Sequence, residues 1–296
     1  MQSFAERLGS GDVLVGDGAT GTMLFERVLQ PGQAPESATL SHPEVVAEIA
    51  RLYLEAGAEI IETNTFGGSP LKLAQAKLEG AVEPVNRDAV RVARDVAGRG
   101  AYVAASCGPC GRLLEPYGDA PPTAVYDSFR RQMEILLSAG VDCVFVETMT
   151  DLEEAKLAVR AAKNVSPDIP VAAMMTFDHT PRGFYTIMGV TVAAAAAGLQ
   201  EAGADAIGSN CGNGSEQMIA IAREFRRHTE LPLIIQPNAG LPQTSDGKIV
   251  YDESPAFMAE KALQLVEAGV SVIGGCCGTT PEHIRAIRAA VNGLRL

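Results

Sequence analysis

Residues 139–149 read AGVDCVFVETM. A helix-like segment closes on Ala-Gly, passes one acid, and runs straight into a string of apolar residues. The glycine suits the left-handed position that ends a helix. The run CVFVETM has the length and apolarity of a strand buried on both faces. The same turn recurs as AGAE at 56–59, AGAD at 202–205 and AGVS at 268–271, each leading into a β-branched or apolar run. Spacings of 83, 63 and 66 residues between the four copies indicate one supersecondary unit repeated along the chain.

Between those four strands lie four more candidates: VLVGDG (13–18), YVAAS (102–106), VAAMMTF (171–177) and LIIQPN (233–238). Each of the eight is followed by a helical pattern. SHPE at 41–44 and DLEE at 151–154 read as capping boxes, and in TTPEHI Thr280 caps with Pro281 in the first helical position. Apolar strands alternating with helices mean a parallel sheet covered on both sides. Eight such units predict the α/β class and a single (β/α)8 TIM barrel over residues 1–296; an open doubly wound sheet is the competing pattern. Long Gly/Pro-rich connections follow the third, fifth and seventh strands, as in CGPCGRLLEPYGDAPPT and PNAGLPQTSDGKIVYDES. They place function at the C-terminal face, where barrels carry their sites.

The 296 residues are 47% apolar and 20% charged, with formal net charge −12. That acidity predicts no nucleic-acid partner and no anionic membrane surface. No 18-residue apolar run and no signal-peptide pattern are present, so the expected compartment is the cytoplasm. There, cysteines are metal ligands or catalysts more often than disulfides.

Cys211 ends the sixth strand in AIGSNCGNG, and Cys276 and Cys277 end the eighth in VIGGCCG. Neighbours in a regular strand point to opposite faces. Cys276 and Cys277 can share an ion only if the backbone leaves the strand, a freedom expected of Gly274, Gly275 and Gly278. Three thiolates converging across a barrel mouth suit one zinc ion with an open fourth position. Such an electron-rich centre binds a substrate thiol as thiolate, and the expected chemistry is S-alkylation rather than hydrolysis. Asn238, ending the seventh strand in QPNAG, is the expected ligand of that fourth position when substrate is absent. Cys143 reads as a buried apolar residue, and Cys107 and Cys110 in CGPCG read as incidental. His42, His228 and His283 lie in or beside helices and His179 on a surface loop, so no histidine cluster forms. A His- and carboxylate-based zinc lyase therefore fits poorly.

DGATGTML (17–24), ETNTF (62–66), the FVET/DLEEAK segment (145–156), GSNCG (208–212), PNAG (237–240) and GGCCGTTPEHI (274–284) together resemble the homocysteine S-methyltransferase family. The likeness covers essentially the whole chain. It implies a (β/α)8 barrel with zinc on Cys211, Cys276 and Cys277, homocysteine as thiol substrate, and methionine as product. It implies that Asp17 and Glu147 hold the amino group, and that backbone N–H groups of the turn Asp17, Gly18, Ala19, Thr20 approach the carboxylate. Independently of that likeness, Asp17 and Glu147 each end a strand, and Asp151 already supplies the helix cap next to Glu147. Thr20 stands where a larger apolar residue is expected.

The family's methyl donors differ. The chain has no tryptophan, whereas a betaine site uses aromatic rings, Trp among them, to cage the quaternary ammonium. The likeness is greater to the homocysteine-binding module of cobalamin-dependent methionine synthase. A separate methylated corrinoid protein is thus the expected donor, with betaine or S-methylmethionine as alternatives and a non-catalytic homocysteine- or zinc-binding subunit as a third reading. No tightly bound organic cofactor is expected in this chain.

Overall fold

The computed structural model describes residues 2–245 and 248–294. The expected span 1–296 thus includes Met1, Asp246, Gly247, Arg295 and Leu296, which lie outside the described residues. The eight expected strands form: β1 Leu14–Val15, β2 Ile60–Glu62, β3 Tyr102–Cys107, β4 Cys143–Met149, β5 Val171–Met175, β6 Ala206–Asn210, β7 Leu233–Gln236 and β8 Val270–Ile273. All pair in parallel in the order β1-β8-β7-β6-β5-β4-β3-β2. A bridge from Gly16 to Ile60 joins the two outer strands and closes the barrel. Eight helices surround it: α1 Pro43–Glu55, α2 Val82–Ala97, α3 Pro122–Ala139, α4 Leu152–Val165, α5 Val192–Ala202, α6 Ser215–Arg226, α7 Pro255–Glu267 and α8 Pro281–Gly293.

The repeated turn has a physical explanation beyond its glycine. Gly57, Gly140, Gly203 and Gly269 all have positive φ, as a helix-ending left-handed residue requires. The acid two residues later reaches back to the preceding strand. Asp142 accepts from the Val103 N–H at 2.7 Å, Asp205 from Val171 at 2.7 Å, and Glu59 from Val15 at 3.3 Å. Each carboxylate satisfies an amide at a strand start that no ladder partner reaches.

Alternation then sorts each strand. Leu14, Ile60, Tyr102, Ala104, Cys143, Phe145, Ala172, Met174, Ala206, Ile234 and Val272 fill the barrel interior. The intervening residues, such as Val103, Val144, Val146 and Ile207, pack outward against the helices. Phe4, on the short helix Phe4–Leu8, plugs the N-terminal end, with its ring 5.4 Å from Tyr102 and edge-on to it.

Two helix starts differ from expectation. Ser41 ends the short helix Ala38–Ser41, and its hydroxyl donates to the Ser37 carbonyl; Pro43 starts α1 without a side-chain cap. Asp151 does cap α4, accepting from the Glu153 N–H at 2.9 Å. Glu154, however, turns away to accept from the Cys110 N–H at 2.7 Å. The loops after β5 and β7 carry antiparallel hairpins, Asp178–Thr180 with Gly183–Tyr185 and Gln243–Ser245 with Lys248–Val250. Among the described residues no helix is long and apolar enough to cross a membrane.

Candidate functional site

One more inward position on four of the strands, past the apolar core, gives the floor of the barrel mouth. On β2, Glu62 follows Ile60; on β3, Ser106 follows Ala104; on β4, Glu147 follows Phe145; on β7, Gln236 follows Ile234. The strand period thus converts a greasy interior into a polar layer within one step. At Glu147 the ladder slips: β4 pairs regularly with β5 through Val146 and resumes at Met149. Thr148 there has φ +57, a conformation that costs a β-branched residue roughly 1–3 kcal/mol and recurs at functional sites. Asn210 holds this bulge. Its Oδ1 accepts from the Thr148 N–H at 2.7 Å, while its amide donates to Glu147 Oε2 at 2.9 Å and Thr148 Oγ1 at 2.8 Å.

Three carboxyls meet in this layer. Asp17, 2% exposed, accepts from the Glu62 N–H at 2.9 Å. Glu62 accepts from Gln236 Nε2 at 2.6 Å, and Glu147 also accepts from the Ser106 hydroxyl. Burial pushes Asp17 and Glu147 well above the usual carboxylate range, and the charge of Glu62 adds to both shifts. Burial likewise raises Glu62, against hydrogen bonds from Glu147 and Gln236. No Lys or Arg side chain bonds any of the three among the described residues. The Gln236 Oε1 is also buried without a hydrogen-bond partner. Four acceptors gathered without a cation describe a seat for a ligand ammonium.

The turn at 17–20 is placed as expected, with one difference. Ala19 caps the helix Thr20–Arg27 without a side-chain hydrogen bond. Thr20, Gly21 and Thr22 line a cavity at this helix start, and the N–H groups of a first helical turn suit an anion. The Ala19 N–H does not join them, because it donates to Thr279 Oγ1 at 3.1 Å. Gly18 is needed for packing: a Cβ there would stand 2.6 Å from Thr279 Oγ1 and 2.9 Å from the Tyr53 ring.

Beyond the acids lie the thiols. Cys211, Cys276 and Cys277 place their sulfurs within 4.8 Å of one another, and the Cys211–Cys277 pair is 3.8 Å apart. Two thiolates on a tetrahedral zinc, at roughly 2.3 Å each, stand about 3.8 Å apart. The donor set therefore fits such an ion. The backbone does leave the strand, which ends at Ile273. The glycines act differently from expectation: only Gly278 has positive φ (+79). Gly274 and Gly275 are there for room, since a Cβ would stand 2.9 Å from Gln236 Nε2 or 2.4 Å from Thr279 Oγ1. Cys211 itself has φ +58. Hydrogen bonds from Cys211 and Cys276 hold the Cys277 thiol far below its ordinary range, while contact with Cys211 and then Cys277 pushes Cys276 up.

Glu62, Glu147, the helix start and the thiols line one cavity of about 230 Å³, together with Glu36, Asn64 and Phe66; Asp17 lies behind this lining, bonded to the Glu62 N–H. Sites for drug-sized ligands span roughly 300–1,000 Å³, so this cavity suits a small metabolite. Asn238 lies between the two cysteine loops, donating its N–H to Asn213 O, and its Oδ1 is buried without a partner. Cys143 is buried inside the barrel, and Cys107 and Cys110 are buried away from the three thiols. His179 is exposed on its hairpin. Sequence reasoning passed over Glu62, Gln236, Ser106 and Asn210. For Glu62 a signal existed: Glu-Thr ends β2 as it ends β4.

Known proteins resemble this chain. The sequence profile of the family described as homocysteine S-methyltransferase matches residues 14–291. Methionine synthase of Mycobacterium leprae (strain TN) is 34% identical over 98% of this chain. That of Mycobacterium tuberculosis (strain ATCC 25618 / H37Rv) is 34% identical over 96%. The chain spans about a quarter (25%) of the length of each. The metallated crystal structure of the homocysteine methyltransferase MmuM from Escherichia coli superposes with TM-score 0.79 at 25% identity, covering 95% of this chain and 97% of that one.

Proposed function

The chain belongs to the homocysteine S-methyltransferase family, a family of methyltransferases, and on that premise we propose that it transfers a methyl group to the sulfur of homocysteine, giving methionine. The observation that carries this reading is the three-sulfur cluster, with one edge at 3.8 Å, opening into the same cavity as Glu62 and Glu147. Cys211, Cys276 and Cys277 hold one zinc ion per chain. When bound, such an ion would supply stabilisation of the substrate sulfur in its thiolate form while leaving it nucleophilic toward a donor's methyl group.

The chain's own residues do the rest. Asp17, Glu62 and Glu147 seat the ammonium, with Gln236 Oε1 as a further acceptor. The N–H groups of Thr20, Gly21 and Thr22 hold the carboxylate, and Gly18 and Ala19 shape the turn that presents them. These two anchors fix the amino-acid end, so the thiol swings toward the cysteines. Asn238 would be the residue that meets the metal in the absence of substrate, a role its partnerless Oδ1 supports. The whole barrel is in this reading the homocysteine-binding module.

The donor is a methylated corrinoid carried on another protein or module, a reading supported by the identity to methionine synthases four times as long. A small donor such as S-methylmethionine or betaine is the second reading. It is favoured by the match to the E. coli enzyme over 97% of its own length. The test is the purified chain with homocysteine and methylcobalamin, betaine or S-methylmethionine in turn, with methionine measured. Methionine from methylcobalamin supports the first reading and methionine from a small onium donor the second. No methionine from any of them leaves the chain a binding subunit.

A further inference from the structure

We propose that Glu253, with Tyr251 beside it, is the positioning residue that holds the three cysteines at their mutual spacing. The inference rests on the reading of those thiols as a metal centre, and adds what assembles them. Cys211 and the Cys276–Cys277 pair sit on two loops, after β6 and after β8, with β7 between them. Each loop is irregular at its cysteine: Cys211 is left-handed, and β8 has ended before Cys276. Neither loop therefore fixes the distance between sulfurs by itself.

The segment Tyr251–Glu253, just after the Gln243–Val250 hairpin, fastens the two together. On the β6 side, both Glu253 carboxylate oxygens accept from the Ser215 N–H at 3.1 Å, and Oε2 also accepts from the Ser215 hydroxyl at 2.6 Å. Ser215 is the first residue of α6, where a negative charge is favoured. Gly214 makes the approach feasible, since a Cβ there would stand 2.2 Å from Glu253 Oε1.

On the β8 side, the Glu253 carbonyl lies 2.9 Å from His283 Nε2 in the first turn of α8. His283 Nδ1 accepts from the Thr280 N–H, which leaves Nε2 as the donor. Tyr251 packs against Gly278, where a Cβ would meet the ring, which brings the ring beside Cys277. In the middle, the Glu253 N–H donates to Ala239 O at 2.9 Å and the Ala239 N–H to Cys277 O at 3.0 Å. One short segment thus bonds the residue four places after Cys211, reaches the Cys277 carbonyl through Ala239, and packs on the residue that follows Cys277. Outer partners of metal ligands typically govern affinity by 10–100-fold.

The test is Co(II) titration of the full chain, following the thiolate-to-cobalt absorption band, for wild type, Glu253→Ala, Glu253→Gln and Tyr251→Phe. The expected result is a loss of Co(II) affinity of roughly 10–100-fold for Glu253→Ala, a smaller loss for Glu253→Gln, and a shifted band for Tyr251→Phe. Melting curves of the metal-free proteins should superimpose. A wild-type band with equal affinity in both Glu253 variants overturns the positioning role alone. A wild-type chain with no such band overturns the metal centre itself. If Glu253→Ala fails to fold, Glu253→Gln decides, because it keeps the side chain's shape and one acceptor oxygen.

Discussion

At the N-terminal end of the barrel, three carboxylates each face a cation; at the C-terminal end, three carboxyls face dipoles and one another, with no cation bonded to them among the described residues. Asp142 is 2.7 Å from Arg94, Asp205 is 2.7 Å from Lys163, and Glu59 is 2.5 Å from Arg288 with Arg7 at 3.6 Å. Asp17, Glu62 and Glu147 are bonded instead by a backbone amide, Gln236, Ser106 and Asn210. The lower acids are internally compensated and serve the fold. The upper acids carry an unmet demand for positive charge, which a substrate ammonium can satisfy. A fold that spends stability at one end in this way keeps it for binding.

The contrast is open to attack. The harshest challenge is Cys277→Ser, which removes the sulfur at the 3.8 Å edge. Methyl transfer should fall by more than the ~10–100-fold that outer partners cost, with urea-unfolding midpoints of the metal-free chain little changed. Retained turnover would detach the chemistry from the thiols. Next comes Glu147→Gln, in which a charge-assisted contact of about 1.5–3 kcal/mol is lost. At 1.4 kcal/mol per decade, the homocysteine KM should rise roughly 10–100-fold while thermal stability holds or increases. A lower melting temperature with unchanged KM would make Glu147 a structural acid like those below.

Asp142→Asn is the converse experiment. It should cost about 1–3 kcal/mol in urea denaturation by weakening the contacts to Arg94 and the Val103 N–H, and leave KM alone. The gentlest probe is pH. Because burial raises the upper acids, each binds its proton more tightly in the folded than in the unfolded chain. Their contribution is full below about pH 4, near the unfolded pKa values, and is lost as pH rises through the raised folded values. The melting temperature should therefore decline from pH 5 toward pH 8, and less steeply in Glu62→Gln. Parallel slopes for the two proteins would remove Glu62 from the account.

The repeated turn made the barrel legible in the sequence, because a helix stop, an acid and a buried strand within a dozen residues admit few other readings. Cys211, Cys276 and Cys277 were legible for a different reason, since all three follow strands at the end where barrels carry sites. Glu62 carried only the Glu-Thr it shares with β4, because in IIETNTF an acid at the end of an apolar run also looks like the rim of a strand. Only the closed barrel turns it to face Glu147. Gln236 and Asn210 were hidden similarly, being strand residues whose partners lie 174 and 63 positions away in the chain. The SHPE box misled because Ser41 found a nearer acceptor in the preceding turn.

The barrel's closing seam has a consequence of its own. β1 has two residues, and it joins β2 through the Gly16–Ile60 bridge and the Glu59 N–H to Val15 O bond. Asp17 stands on one stave beside this seam and Glu62 on the other. An amino acid bound between them therefore acts as a suture, drawing shut the place where the cylinder has least thread of its own.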